Sequence, residues 1–210
     1  MLTVACVWTG DKYGSEYVER LAAMVARWLP MRYKFMCITD RTENIRGVDS
    51  YVETRLPGWW AKMELFNPAA RPNGRIVYFD LDTVICDDLT PLAMWGGTFG
   101  ICENFTKLAG SNSGGCNYGS CVMSLDHGFG SDIWNQFDPS RVGDFPRGDQ
   151  QAIESFYPYA TFLQRAMPDN FFLGYRHLTV KKPDGCAVVV FAGANKPHNS
   201  QHGWIKDAWQ

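Results

Sequence analysis

The stretch Arg75-Ile76-Val77-Tyr78-Phe79-Asp80-Leu81-Asp82-Thr83-Val84-Ile85 constrains this chain more than any other. Arg75 to Phe79 is mostly β-branched or aromatic and free of breakers, the pattern of a buried strand. It runs straight into two carboxylates at alternate positions, Asp80 and Asp82. Charges are seldom placed at the end of a buried strand unless a cation or partner compensates them. In an open α/β sheet the carboxyl ends of strands are also where ligands bind. Two carboxylates separated by one residue suit a hard divalent ion that keeps positions open for phosphate oxygens.

The rest of the chain is compatible with an α/β frame around that strand. Its 210 residues suffice for one sizeable core, so a single domain over 1–210 is expected. Leu2 to Trp8 reads as a strand, Ser15 to Leu29 has helical spacing up to Pro30, and Tyr33 to Ile38 reads as a second strand ending at Asp40. This β-α-β unit predicts a sheet that starts parallel. It sets the loop Thr9 to Tyr13 beside Asp40, either as a nucleoside site or as a plain connecting turn. Further strands are predicted at Tyr51–Glu53, Thr98–Ile101, Ser120–Leu125 and Ala187–Phe191, and helices at Trp59–Phe66, Ser131–Phe137, from Arg147, and at Trp204–Trp209. Phe162 to Tyr175 has no clear period. Leu108 to Ser120, rich in Gly, Ser and Asn, reads as a hairpin tip or a mobile acceptor loop.

A formal net charge of -2 supplies no overall pull toward nucleic acid. The seven Cys include no CxxC pair and no zinc spacing, so reduced thiols and a cytoplasmic setting are expected. No apolar run approaches membrane-spanning length, and no basic segment precedes an apolar core at the N-terminus.

Three readings of Asp80 and Asp82 compete. The plainest is a strand-end turn with Asp side chains on nearby backbone. The second resembles the first motif of the haloacid dehalogenase phosphatases, with Asp80 as nucleophile and Gly148-Asp149 with Glu154 as the last acidic motif. Against it, a whole β-α-β unit precedes Asp80 and no apolar strand precedes Asp149.

In the third, several segments agree in order and spacing. Thr9 and Tyr13 follow the opening strand; Trp60-Ala61-Lys62-Met63-Glu64-Leu65-Phe66 has the form W-x-K-x-x-x-F; Tyr78 to Ile85 carries D-x-D; Leu89-Thr90-Pro91-Leu92 follows; Gly148-Asp149-Gln150 and Gly193-Ala194-Asn195-Lys196-Pro197 come later. Along most of its length the chain resembles the glycogenin-like and bacterial galactosyltransferase-like family. That resemblance implies a single-domain GT-A-like, Rossmann-type nucleotide-binding fold, with a mixed, mostly parallel central sheet flanked by helices. It also implies a metal-dependent glycosyltransferase that moves a sugar from a nucleoside diphosphate, UDP by preference, to a hydroxyl acceptor with retention. The acceptor would be a glycan or lipid-linked sugar, or a hydroxymethylated DNA base. A sugar-nucleotide-binding module without catalysis is the non-enzymatic alternative.

By the same resemblance, Thr9, Tyr13, Asp40, Lys62, Asp80, Leu81, Gly193 and Lys196 would bind the donor, and Asp80 and Asp82 would hold Mn²⁺ or Mg²⁺. Lys62, Asp149 and Gln150 would act at the reacting sugar. By default Lys62 alone would read as a solvated surface lysine. Two departures stand out. The family's N-S-G is Gly119-Ser120-Cys121 here, and its third metal ligand, a histidine, is replaced by Val190. His198, next to Lys196-Pro197, is the candidate to complete the metal shell.

Overall fold

The computed structural model describes residues 1–108 and 115–210, so residues 109–114 of the expected acceptor loop lie outside the described residues. Ten strands are found among them: β1 (Leu2–Trp8), β2 (Tyr33–Thr39), β3 (Ser50–Glu53), β4 (Ile76–Phe79), β5 (Val84–Ile85), β6 (Phe99–Glu103), β7 (Tyr118–Leu125), β8 (Thr161–Phe162), β9 (Phe172–Gly174) and β10 (Val188–Val190). The main sheet has the order β3-β2-β1-β4-β7-β6-β8 and the smaller one β5-β10-β9. In the main sheet β7 alone runs against the others, pairing antiparallel with both β4 and β6.

Period-two alternation divides the core into two layers. Val4, Cys6 and Trp8 of β1, with Val77 and Phe79 of β4, pack on the side of the helix Ser15–Trp28. Ala5, Ile76 and Tyr78 face the opposite layer with Trp60, Met63 and Phe66. The first helix forms because Tyr17, Val18, Leu21, Met24 and Val25 recur on one side and are buried, and it stops before Pro30. Each fully buried aliphatic side chain there contributes about 1.5–3 kcal/mol.

The segment expected as a helix over Trp59–Phe66 is a 3-10 helix, Gly58–Phe66. The unclear stretch Phe162–Tyr175 contains the two short strands β8 and β9 and the helix Leu163–Ala166. Elements of two to four residues are too short to show a period. Two features of the topology build the site. Antiparallel β7 sets its opening residues beside the end of β4, where the Asp80 N–H donates to the Cys121 carbonyl at 2.8 Å. The β5–β10 pairing carries the chain after β10 back to the residues just past Asp82. The seven cysteines are free, and among the described residues no helix is long and apolar enough to cross a membrane.

Candidate active site

Asp80 continues the alternation of β4, on the side of Tyr78 and the 3-10 helix. The Tyr78 hydroxyl donates to Asp80 Oδ1 at 2.6 Å, and Lys62 Nζ lies 2.9 Å from the same oxygen. Lys62 is buried, at 6% exposure. This overturns the surface-lysine default, and the reason lies in its partners. Its ammonium also donates to Ser120 Oγ at 3.0 Å and lies 3.4 Å from Asp149 Oδ2. Burial lowers the Lys62 pKa, but Asp149 and Asp80 outweigh that and hold it above its ordinary value, so the ammonium stays charged. Asp149 opens the helix Asp149–Phe156 and is itself buried. Burial raises its pKa, offset only in part by Lys62 and Ser120. Its Oδ2 has no hydrogen-bond partner among the described residues. The Lys62 ion pair compensates that oxygen, and a ligand donor can add the missing hydrogen bond.

Past Asp80 the chain turns, with Thr83 N–H donating to the Asp80 carbonyl at 3.0 Å. Leu81 is buried in the core on the side of the first helix, so only its backbone can serve a ligand. Asp82 meets partners from that side: Tyr13 Oη donates to its Oδ2 at 2.8 Å and Lys196 Nζ at 2.6 Å. An open cleft of about 570 Å³ adjoins them, lined by Lys12, Tyr13, Tyr17, Arg20, Lys196 and His198 among others.

Thr9 and Asp40 are drawn together by the loop after β1. Asp40 Oδ2 accepts from the Gly10 N–H at 3.1 Å, and the Thr9 hydroxyl donates to the Gly58 carbonyl at 3.0 Å. Gln150 is half-buried on the helix behind Asp149, and Gly193 is exposed in the turn leading to Lys196.

Lys196 and His198 flank the buried Pro197, and the His198 Nδ1 hydrogen-bonds the Tyr17 hydroxyl. Among the described residues no group of three His, Cys, Asp or Glu side chains could hold a metal. Val190, at the position where the family carries a histidine, pairs with Gly174 and is buried in the core. All side-chain contacts to Asp80 fall on Oδ1 and all those to Asp82 on Oδ2, so each carboxylate keeps one oxygen without a protein partner among the described residues. Two hard oxygens fit a divalent ion that completes its shell with phosphate and water.

Sequence reasoning missed Tyr78, Ser120 as a direct partner of Lys62, and Tyr17. Tyr78 was within reach, because it lies two residues before Asp80 on the same strand face.

Searches of protein-family profiles and of curated proteins find no match. Solved structures do match. The galactosyltransferase LgtC, crystallised with donor and acceptor sugar analogues, superposes with a TM-score of 0.68 at 15% identity over 99% of this chain and 95% of that one. The fold is a GT-A-like glycosyltransferase fold. The glycosyltransferase GlyE of Streptococcus pneumoniae TIGR4 gives 0.64 at 15% identity over 98% of this chain and 60% of its own. The bifunctional glycosyltransferase WbbM gives 0.63 at 13% identity over 99% and 49%.

Proposed function

We propose that this chain transfers a sugar from a nucleoside diphosphate, UDP by preference, to a hydroxyl of a glycan or lipid-linked sugar in a reducing, cytoplasmic setting. The observation that carries the reading is the pair of lysines set on alternate aspartates, Lys62 on Asp80 and Lys196 on Asp82, beside the buried Asp149. Breaking the bond between the anomeric carbon and a phosphate oxygen places negative charge on the departing diphosphate. Lys62 and Lys196 supply fixed positive charge where that charge grows. Asp80 and Asp82 would hold Mn²⁺ or Mg²⁺, which supplies Lewis acidity to the same oxygens. Asp149, whose Oδ2 has the Lys62 ion pair but no hydrogen bond among the described residues, and Gln150 face the oxocarbenium-like centre and orient the sugar for transfer with retention. Tyr13, Thr9 and Asp40 line the side open to the nucleoside.

The phosphatase reading keeps Asp149 alone of its acidic motif, because Glu154 is engaged by Asn117, with the Asn117 backbone N–H donating to it at 2.9 Å. A panel of UDP-, GDP- and TDP-sugars, scored for hydrolysis with and without Mn²⁺, tests the proposal. Metal-stimulated release of UDP is expected, with aryl phosphates left untouched. Turnover of an aryl phosphate with no sugar nucleotide consumed would overturn it.

A further inference from the structure

Trp59 and Trp60 are neighbours in sequence with opposite fates. Gly58 takes a positive φ of 55°, open to glycine at little cost, and starts the 3-10 helix. Trp60 then turns inward and stacks on Phe137 at 5.8 Å between ring centroids, whereas Trp59 stays 59% exposed. In a 3-10 helix residues three apart eclipse one another, so Trp59 stands on the face of Lys62, one turn or roughly 6 Å away. Its ring is also held in place. Gly148, at φ 75°, is so close that a Cβ there would meet Trp59 Nε1 at 2.6 Å, which lays the indole against the backbone entering Asp149. The Thr9 hydroxyl fixes the same corner through the Gly58 carbonyl. A large aromatic ring is thus kept exposed beside Gly148, just outside the cluster of Lys62, Asp80 and Asp149.

Resting on the transferase reading, we infer that Trp59 is the platform on which an acceptor hexose stacks. The donor sugar takes the place beside that cluster, so the next group to arrive from solvent meets the indole. A pyranose has one face of C–H groups, whose slight positive charge suits the negative face of the ring. Stacking a hexose there leaves its hydroxyl edge directed toward Asp149 and the anomeric centre. A nucleic-acid base would also stack on indole, but a net charge of -2 without a basic run gives no overall pull toward a phosphate backbone.

The test measures consumption of the UDP-sugar with water as acceptor, and again with millimolar lactose, maltose or cellobiose. At least one disaccharide should accelerate wild-type consumption. Trp59→Leu should raise its KM about tenfold while saccharide-free hydrolysis and donor KM stay within about twofold, and Trp59→Phe should recover most of the loss. No acceleration by any disaccharide, or equal KM for wild type and Trp59→Leu, overturns the inference while leaving donor hydrolysis, and with it the transferase reading, intact. Trp59-dependent transfer to an oligonucleotide carrying 5-hydroxymethylcytosine overturns the sugar assignment. Absence of any donor hydrolysis removes the transferase reading itself.

Discussion

The two halves of the site, around Lys62 and around Lys196, are held in different ways. Lys62 is buried on a nine-residue 3-10 helix, most of whose side chains are in the core, and its ammonium touches Asp80, Asp149 and Ser120. Lys196 rides a turn between β10 and the helix Gly203–Ala208, and among the described residues its ammonium ion-pairs with Asp82 alone. Under the proposed transfer, both lysines present the same charge to the same diphosphate. The first is preorganised by the fold and needs no rearrangement when charge develops. The second has one ion pair, which a phosphate or a metal ion bound there would compete for directly.

Breaking the buried half should cost the most. Lys62→Met leaves Asp149 buried without its nearest cation, and removing one member of a buried ion pair costs about 3–5 kcal/mol. The variant should unfold at clearly lower urea, and kcat/KM should fall by about 10²–10³ even where it stays folded. Lys196→Met should lower kcat/KM by about 10–100-fold and lower the urea midpoint less than Lys62→Met does, because Asp82 keeps the Tyr13 hydroxyl as a partner. The comparison breaks if Lys196→Met unfolds as readily as Lys62→Met. Asp82→Asn sharpens it. Donor affinity measured calorimetrically should lose its Mn²⁺ dependence, and metal-dependent affinity that survives the change would remove Asp82 from the metal platform.

The elements that could be read from sequence were those whose periodicity runs over several residues: β1, the first helix, β2, β4 and the C-terminal helix. So was the placing of Asp80 and Asp82 at the end of a buried strand, because a charge there stands out against its surroundings. What could not be read depends on contacts distant in sequence. The burial of Lys62 comes from Asp80, Ser120 and Asp149, which are brought together only when β7 pairs antiparallel with β4. His198 illustrates the reverse case. Its nearness in sequence to Lys196 suggested a metal ligand, yet the turn at Pro197 delivers the lysine to Asp82 and the imidazole to Tyr17.

The pH behaviour of Asp149 follows from its raised pKa. A carboxylate whose folded value lies above its unfolded value favours folding below the ordinary carboxylate range, and that increment is lost as pH rises through the raised value. At neutral pH its ionisation therefore weakens the fold while serving the site. Urea midpoints of wild type should decline relative to Asp149→Asn as pH climbs through that window. The acid limb of kcat/KM should fall at a pH above that of an ordinary aspartate. A stability difference that does not vary with pH would mean Asp149 keeps the same charge in both states.

The smallest effect is expected at His198. The Tyr17 phenol beside it is pushed up to about 12, by burial first and then by the charges of Asp82 and Glu16, so Tyr17 stays neutral throughout the working range and the imidazole meets a hydroxyl rather than a phenolate. One neutral hydrogen bond on an exposed residue contributes about 0.5–1.5 kcal/mol. His198→Ala should therefore change donor KM by less than about threefold and leave the Mn²⁺/Mg²⁺ preference as it is. Imidazole is a good ligand for manganese and a poor one for magnesium. If His198→Ala instead narrows that preference, the turn after Pro197 brings the imidazole to the metal once diphosphate is bound. The Lys196 half of the site would then be assembled by its ligand, in contrast to the half built around Lys62.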